Sequence, residues 1–136
     1  GGGEIDGRRV IEPETVEWFT SRHREKLHDH TFKVNLDWGL GFMINSPLPA
    51  GESDDDDHDK ANEHGIPYGF GPGASHDTFG HGGNQSSIAF ADPEHQLIIA
   101  IVCNGMPGEE QHHRRMHRLL SAVYRDLGLD GQVRPA

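Results

Sequence analysis

The sequence predicts an α+β chain, an antiparallel sheet of about three strands with a C-terminal helix packed on it. Two patterns carry that expectation. Ser87-Ile-Ala-Phe-Ala91 alternates small or polar with apolar residues, Asp92-Pro-Glu-His95 has turn composition, and Leu97-Ile-Ile-Ala-Ile-Val-Cys103 is a continuous apolar run, so the three read together as a hairpin. After a loop at Asn104-Gly-Met-Pro-Gly108, the segment from Glu109 to Leu127 spaces Met116, Leu119, Leu120, Val123, Tyr124 and Leu127 so that they share one helix face, and Gly128 stands where the helix should end.

Taken in chain order, the first strand is expected at 38–44, where Trp38, Leu40, Phe42 and Ile44 fall on one side. A long acidic surface loop, 46–75, should follow. Its centre, Glu52 to Asp59, holds six carboxylates within eight residues, and their repulsion favours an extended, hydrated and partly disordered segment. Carboxylates are hard ligands for calcium, but an EF-hand loop begun at Asp54 or Asp55 has Asp59 or Lys60 where glycine is required and Gly65 or Ile66 where glutamate is required. No calcium site is assigned. The remaining strands are expected near 78–91 and 96–103, and the apolar run ending at Cys103 reads as a central strand covered on both faces and paired on both edges. The helix is expected near 109–127.

Net charge and composition exclude several classes. A formal charge of −10 in 136 residues opposes nucleic-acid binding, which needs clustered Lys and Arg. No run of apolar residues is long enough to span a membrane. Cys103 has no partner for an intrachain disulfide and reads as a small buried apolar residue. His113 and His117 stand four apart on the helix, a chelating spacing, yet Arg114 and Arg115 lie between them and oppose a cation, so neither a metal nor a cofactor is assigned. Of the eleven histidines, His28, His30, His58, His64, His95, His112 and His113 sit in polar stretches and read as solvated.

His81-Gly82-Gly83 is different in kind. Two glycines beside a polar ring let a ligand approach the main chain, whose N–H groups can hold an oxyanion. Around it, Trp38-Gly-Leu-Gly-Phe42, Phe79-Gly-His-Gly-Gly83, Ala89-Phe-Ala-Asp-Pro93 and Val102-Cys-Asn-Gly-Met106 follow one another in the order found in the serine β-lactamase and penicillin-binding-protein family, in its branch of class C-like β-lactamases, D-amino-acid peptidases and esterases. The opening segment, Gly2 to Val16, also resembles the stretch that closes that family's helical subdomain.

The resemblance implies the C-terminal part of the β-lactamase/transpeptidase-like fold, with residues 1–30 ending the helical subdomain as a short helical segment and 31–136 continuing the α/β subdomain. It implies that His81, Gly82 and Gly83 form the third motif of the active site, with Asn84 offering a backbone N–H to the oxyanion. The nucleophile motif Ser-x-x-Lys is absent, since Ser21, Ser46, Ser53, Ser75, Ser86, Ser87 and Ser121 are each followed three residues on by something other than lysine. Tyr-x-Asn or Tyr-x-Ser fails likewise at Tyr68 and Tyr124. The expectation is therefore a C-terminal fragment of a serine hydrolase, inactive alone, whose parent takes a small-molecule or peptide acyl substrate and belongs to a family often exported. The competing expectation is a stand-alone, non-catalytic module binding a peptide or protein. An α/β-hydrolase is the third reading, and the Gly-x-Ser-x-Gly elbow it needs is absent.

Overall fold

The computed structural model describes residues 2–32, 34–45 and 69–130. A small antiparallel ladder, β1 (Glu4–Ile5) and β2 (Arg8–Arg9), leads into helix α1 (Pro13–Thr20). Then come β3 (Arg24–Asp29), β4 (Val34–Trp38), β5 (Met43–Ile44), β6 (Phe79–Gly83), β7 (Ser87–Asp92), β8 (Leu97–Val102) and helix α2 (Glu109–Leu127). Strands β3 to β8 form one antiparallel sheet in which every strand lies beside its neighbour in sequence. Most of the acidic segment, with His58 and His64, lies outside the described residues.

Six strands replace the expected three, for local reasons. The segment 38–44 does not run straight: Gly39 donates its N–H to Phe42 O at 2.9 Å, Gly41 takes φ +85°, and the chain reverses between β4 and β5. The segment 78–91 likewise breaks into β6 and β7 at Asn84-Gln85-Ser86, where Asn84 and Gln85 both take positive φ. Strand β3 escaped notice because Arg-Glu-Lys-Leu-His-Asp has no apolar alternation. It is an edge strand, exposed along most of its length, with an irregular register between Arg24 and Leu27.

Helix α2 keeps the expected bounds. Glu109 and Glu110 sit in its positive first turn, and Gly128, at φ 73°, ends it with its N–H on the carbonyls of Arg125 and Tyr124. Its buried stripe is His112, Met116, Leu120 and Tyr124. Leu119 and Leu127, expected on that face, stay exposed, and His112 is buried rather than solvated. The stripe packs on Ile88 and Phe90 of β7, on Ile99 of β8, and on Phe70 and Ala74 of the loop before β6. Burying a side chain such as Leu120, which is wholly covered, contributes roughly 1.5–3 kcal/mol. Gly73 permits that loop's approach, since a Cβ there would stand 2.6 Å from Tyr124 Cγ.

One carboxylate ties these layers together. Asp92, at the end of β7 and 1% exposed, accepts from Ser75 Oγ at 2.6 Å, Ser75 N–H at 3.1 Å, Tyr124 Oη at 2.9 Å, His95 Nδ1 at 2.8 Å and His95 N–H at 3.3 Å. His95 is thus a partner of the core rather than a solvated ring. Burial alone would raise the Asp92 carboxyl, but these hydrogen bonds outweigh it and hold the group well below the usual carboxylate range. Burial and the neighbouring carboxylate push the Tyr124 phenol above its ordinary value.

The opposite face of the sheet is bare at its β8 end. Ile98 and Val102 are 81% and 84% exposed, and β8 is the last strand of the order, so one edge has no neighbour among the described residues. The expectation of a strand paired on both edges does not hold there. At the other end, Arg22 fixes the passage from α1 into the sheet through Asp37 at 3.1 Å, Asp77 at 3.1 Å and the carbonyls of Asn45 and His76.

Candidate functional site

Strand β6 presents the His-Gly-Gly motif at mid-sheet, paired with β7 as His81↔Ala89, Gly82↔Ile88 and Gly83↔Ser87. Alternation sends Gly80 toward the side on which Phe90 and Ile99 pack under α2, and His81 toward the side shared with Ala89 and Ala100, where all three are exposed. The imidazole is therefore open to a ligand. Its Nδ1 lies 2.5 Å from Gly82 O and donates to that carbonyl. Two rings stand beside it, Trp38 at 5.6 Å and Phe32 at 6.3 Å between centroids, and these two are 6.0 Å from each other.

The strand ends at Gly83, and Asn84 begins the turn with φ 29°. Short polar side chains tolerate this region best. The Asn84 backbone N–H has no hydrogen-bond partner among the described residues. Its side chain donates to Met106 Sδ at 3.5 Å. The turn is braced from three directions. Arg115 of α2 donates to Gln85 O at 2.8 Å, Gln85 Oε1 accepts from Gly108 N–H at 3.1 Å, and Gln85 Nε2 donates to Glu109 at 2.9 Å. Cys103 N–H, following β8, reaches Ser86 O at 2.7 Å. Gln85 and Arg115 hold the turn in place, and nothing in the sequence pattern singled them out, because their partners are distant in sequence and mostly main-chain atoms.

His81, Gly82, Gly83 and Asn84 thus lie along one strand end, next to the rings of Trp38 and Phe32. The glycines differ in what they tolerate. A Cβ on Gly83 would meet only the Ser87 hydroxyl, at 2.2 Å, and that side chain can rotate. Gly83→Ala is expected to cost under about 1 kcal/mol of stability, read from a urea unfolding midpoint. On α2, His113 pairs with Glu109 at 3.5 Å. Burial pulls the pKa values of His112 and His113 below the usual histidine range, and Arg115 adds to the effect at His112. Among the described residues, no group of three or more His, Cys, Asp or Glu side chains is placed to hold a metal ion, and no helix is long and apolar enough to cross a membrane.

A family model described as Beta-lactamase matches residues 5–124. The protein named Esterase/beta-lactamase LipL, from Mycobacterium tuberculosis (strain ATCC 25618 / H37Rv), is 34% identical to the chain over 104 residues, which is 76% of this chain. The chain spans 18% of that relative's length.

Proposed function

The chain belongs to the β-lactamase family, and from that premise we propose that it is the C-terminal portion of a serine hydrolase that cleaves an ester or amide through an acyl-enzyme. The observation that carries this reading is the unpartnered Asn84 N–H, one turn beyond the exposed His81 and fixed by Gln85, Arg115 and Gly108. In the mechanism, a serine hydroxyl from another part of the protein adds to the acyl carbon while a lysine takes its proton. The tetrahedral oxyanion rests between Asn84 N–H and the serine's own N–H. Collapse breaks the bond to the leaving group, which departs with the proton, and water then releases the acid and restores the serine. His81 positions the substrate and tunes that proton transfer, while Gly82 and Gly83 leave room for the substrate to lie along β6.

In this reading residues 1–30 close the helical subdomain and 31–136 continue the α/β subdomain, except that β3 (Arg24–Asp29) already pairs into the sheet and moves that boundary ahead of Arg24. Without the serine and lysine the chain does not turn over substrate. The bare face of β8 supports the same view, since Ile98 and Val102 offer an apolar surface to the rest of the protein. A stand-alone binding module of the same fold would have to leave that surface in water.

The test is made on the full-length protein. A fluorophosphonate probe should label the serine of a Ser-x-x-Lys sequence outside residues 1–136, and His81→Ala should lower kcat/KM for a simple p-nitrophenyl ester on the order of 10²-fold without changing the melting temperature. The chain expressed alone should take no label. A full-length protein that takes no label, with a chain that melts cooperatively alone, would establish the binding module instead.

A further inference from the structure

Two buried side-chain polar atoms among the described residues have no hydrogen-bond partner, Trp38 Nε1 and Arg115 Nε. The arginine is otherwise engaged, because its terminal nitrogens serve Gln85 O and Asn104 O. The indole N–H is the only polar group of the Trp38 side chain, so the side chain's hydrogen-bonding capacity is wholly unused. Buried indole N–H groups normally find an acceptor, and one left bare in a folded protein calls for an explanation. Its position supplies one: the indole ring is 5.6 Å from His81, and Phe32 closes a triangle of rings with both.

We propose that Trp38 is a specificity-determining residue of the His81 site, its indole N–H donating to an oxygen in the acyl group of the substrate while the Trp38 and Phe32 rings receive a planar apolar group attached beyond that oxygen. The substrate class is an aryl-bearing acyl ester or amide with an acceptor oxygen close to the scissile carbonyl. Trp38 packs against the core cluster, and three further features bear on its role. The ring is only partly buried, it borders the exposed imidazole, and its donor has no internal acceptor. The proposal rests on the hydrolase reading of the same strand and adds a residue and a substrate class to it.

The experiment compares two esters in the full-length protein, p-nitrophenyl phenoxyacetate and p-nitrophenyl hydrocinnamate. They share a leaving group and differ by an ether oxygen in place of a methylene. The quantity read is the ratio of their kcat/KM values, corrected for their ratio of spontaneous hydrolysis. Because both are measured on one preparation, the ratio does not depend on the folded fraction. It is expected to exceed one in the wild type and to fall about fivefold in Trp38→Phe, which keeps a ring and removes the donor. A ratio unchanged in Trp38→Phe overturns the proposal while leaving the hydrolase reading intact. If Trp38→Phe retains too little turnover to measure, the ratio is read in Trp38→His, which keeps a ring N–H, and in Trp38→Leu, which has none. Retention in the first and loss in the second supports the donor, and equal ratios in the two overturn it. A full-length protein that hydrolyses neither ester overturns both readings.

Discussion

Asp92→Ala is expected to remove much of the stability of the fold. The carboxylate receives hydrogen bonds from Ser75, Tyr124 and His95, and its removal strands donors in the layer between α2 and the sheet. Each buried donor left without an acceptor costs about 1–3 kcal/mol, and a domain's total stability is only about 5–15 kcal/mol. A drop of several kcal/mol in the urea unfolding free energy of the full-length protein checks this. Asp92→Asn should cost less, because one oxygen still accepts. The pH dependence has a definite sign. A carboxyl held below its ordinary range stabilises the fold fully above about pH 4 and loses that contribution as pH falls toward its folded-state pKa. His112 and His113, held neutral by burial, add a loss that begins earlier, as pH drops through about 6.5 and the unfolded chain gains protons the folded one refuses. Tyr124 acts at the other end: its raised pKa means that stability declines once pH passes about 10. A melting-temperature profile across pH should therefore fall on both sides of a neutral plateau, and Tyr124→Phe should flatten the alkaline side.

Gly80→Val is the second large effect. A Cβ at this position would lie 2.2 Å from Ala89 O and 2.4 Å from Phe90 Cβ, on the partner strand itself. Neither atom can withdraw without opening the β6–β7 ladder. The cost should exceed the about 1–3 kcal/mol of ordinary overpacking, and the displaced strand should carry His81 with it. Loss of ester turnover together with a lowered melting temperature is the expected outcome, in contrast to His81→Ala, where turnover alone should fall. The sequence drew attention to Gly82 and Gly83 as the glycines a substrate needs. The geometry makes Gly80, one residue before the histidine, the one that the fold itself requires.

This contrast shows what a sequence can carry. Helix α2 was readable to the residue because its apolar spacing and its terminal glycine are both local. The hairpin of β7 and β8 was readable because alternation, turn and apolar run adjoin. Trp38 to Ile44 read as one strand because its alternate residues are apolar, but the chain reverses at Gly39 to Phe42 and pairs Trp38 with Met43 and Asp37 with Ile44, so Trp38 and Ile44 end on opposite faces instead of one. Strand β3 was invisible because an edge strand of charged residues buries almost nothing. The His81 motif stood out through its glycines and its flanking segments. Asp92 did not, since Asp-Pro reads as a turn and the donors that make it a buried node come from Ser75 and Tyr124, far away along the chain. Leu119 and Leu127 fell at the right spacing but on the rim of the contact, where a helix on a sheet leaves its outer flank wet.

The order of the strands in the sheet has a kinetic consequence. Because β3 through β8 neighbour one another in sequence order, most pairings close over a short stretch of chain, and the sheet can zip up one hairpin after another as it leaves the ribosome. The long closure is the step from β5 to β6, which spans residues 45–78, and it joins only two residue pairs, Met43↔Gly80 and Ile44↔Phe79. That junction should form late, after the rate-limiting step, with β6, β7, β8 and α2 assembling first. Substitutions at the Met43 pairing should then slow folding little and speed unfolding most, whereas those in the β7–β8 hairpin should show up in the folding rate.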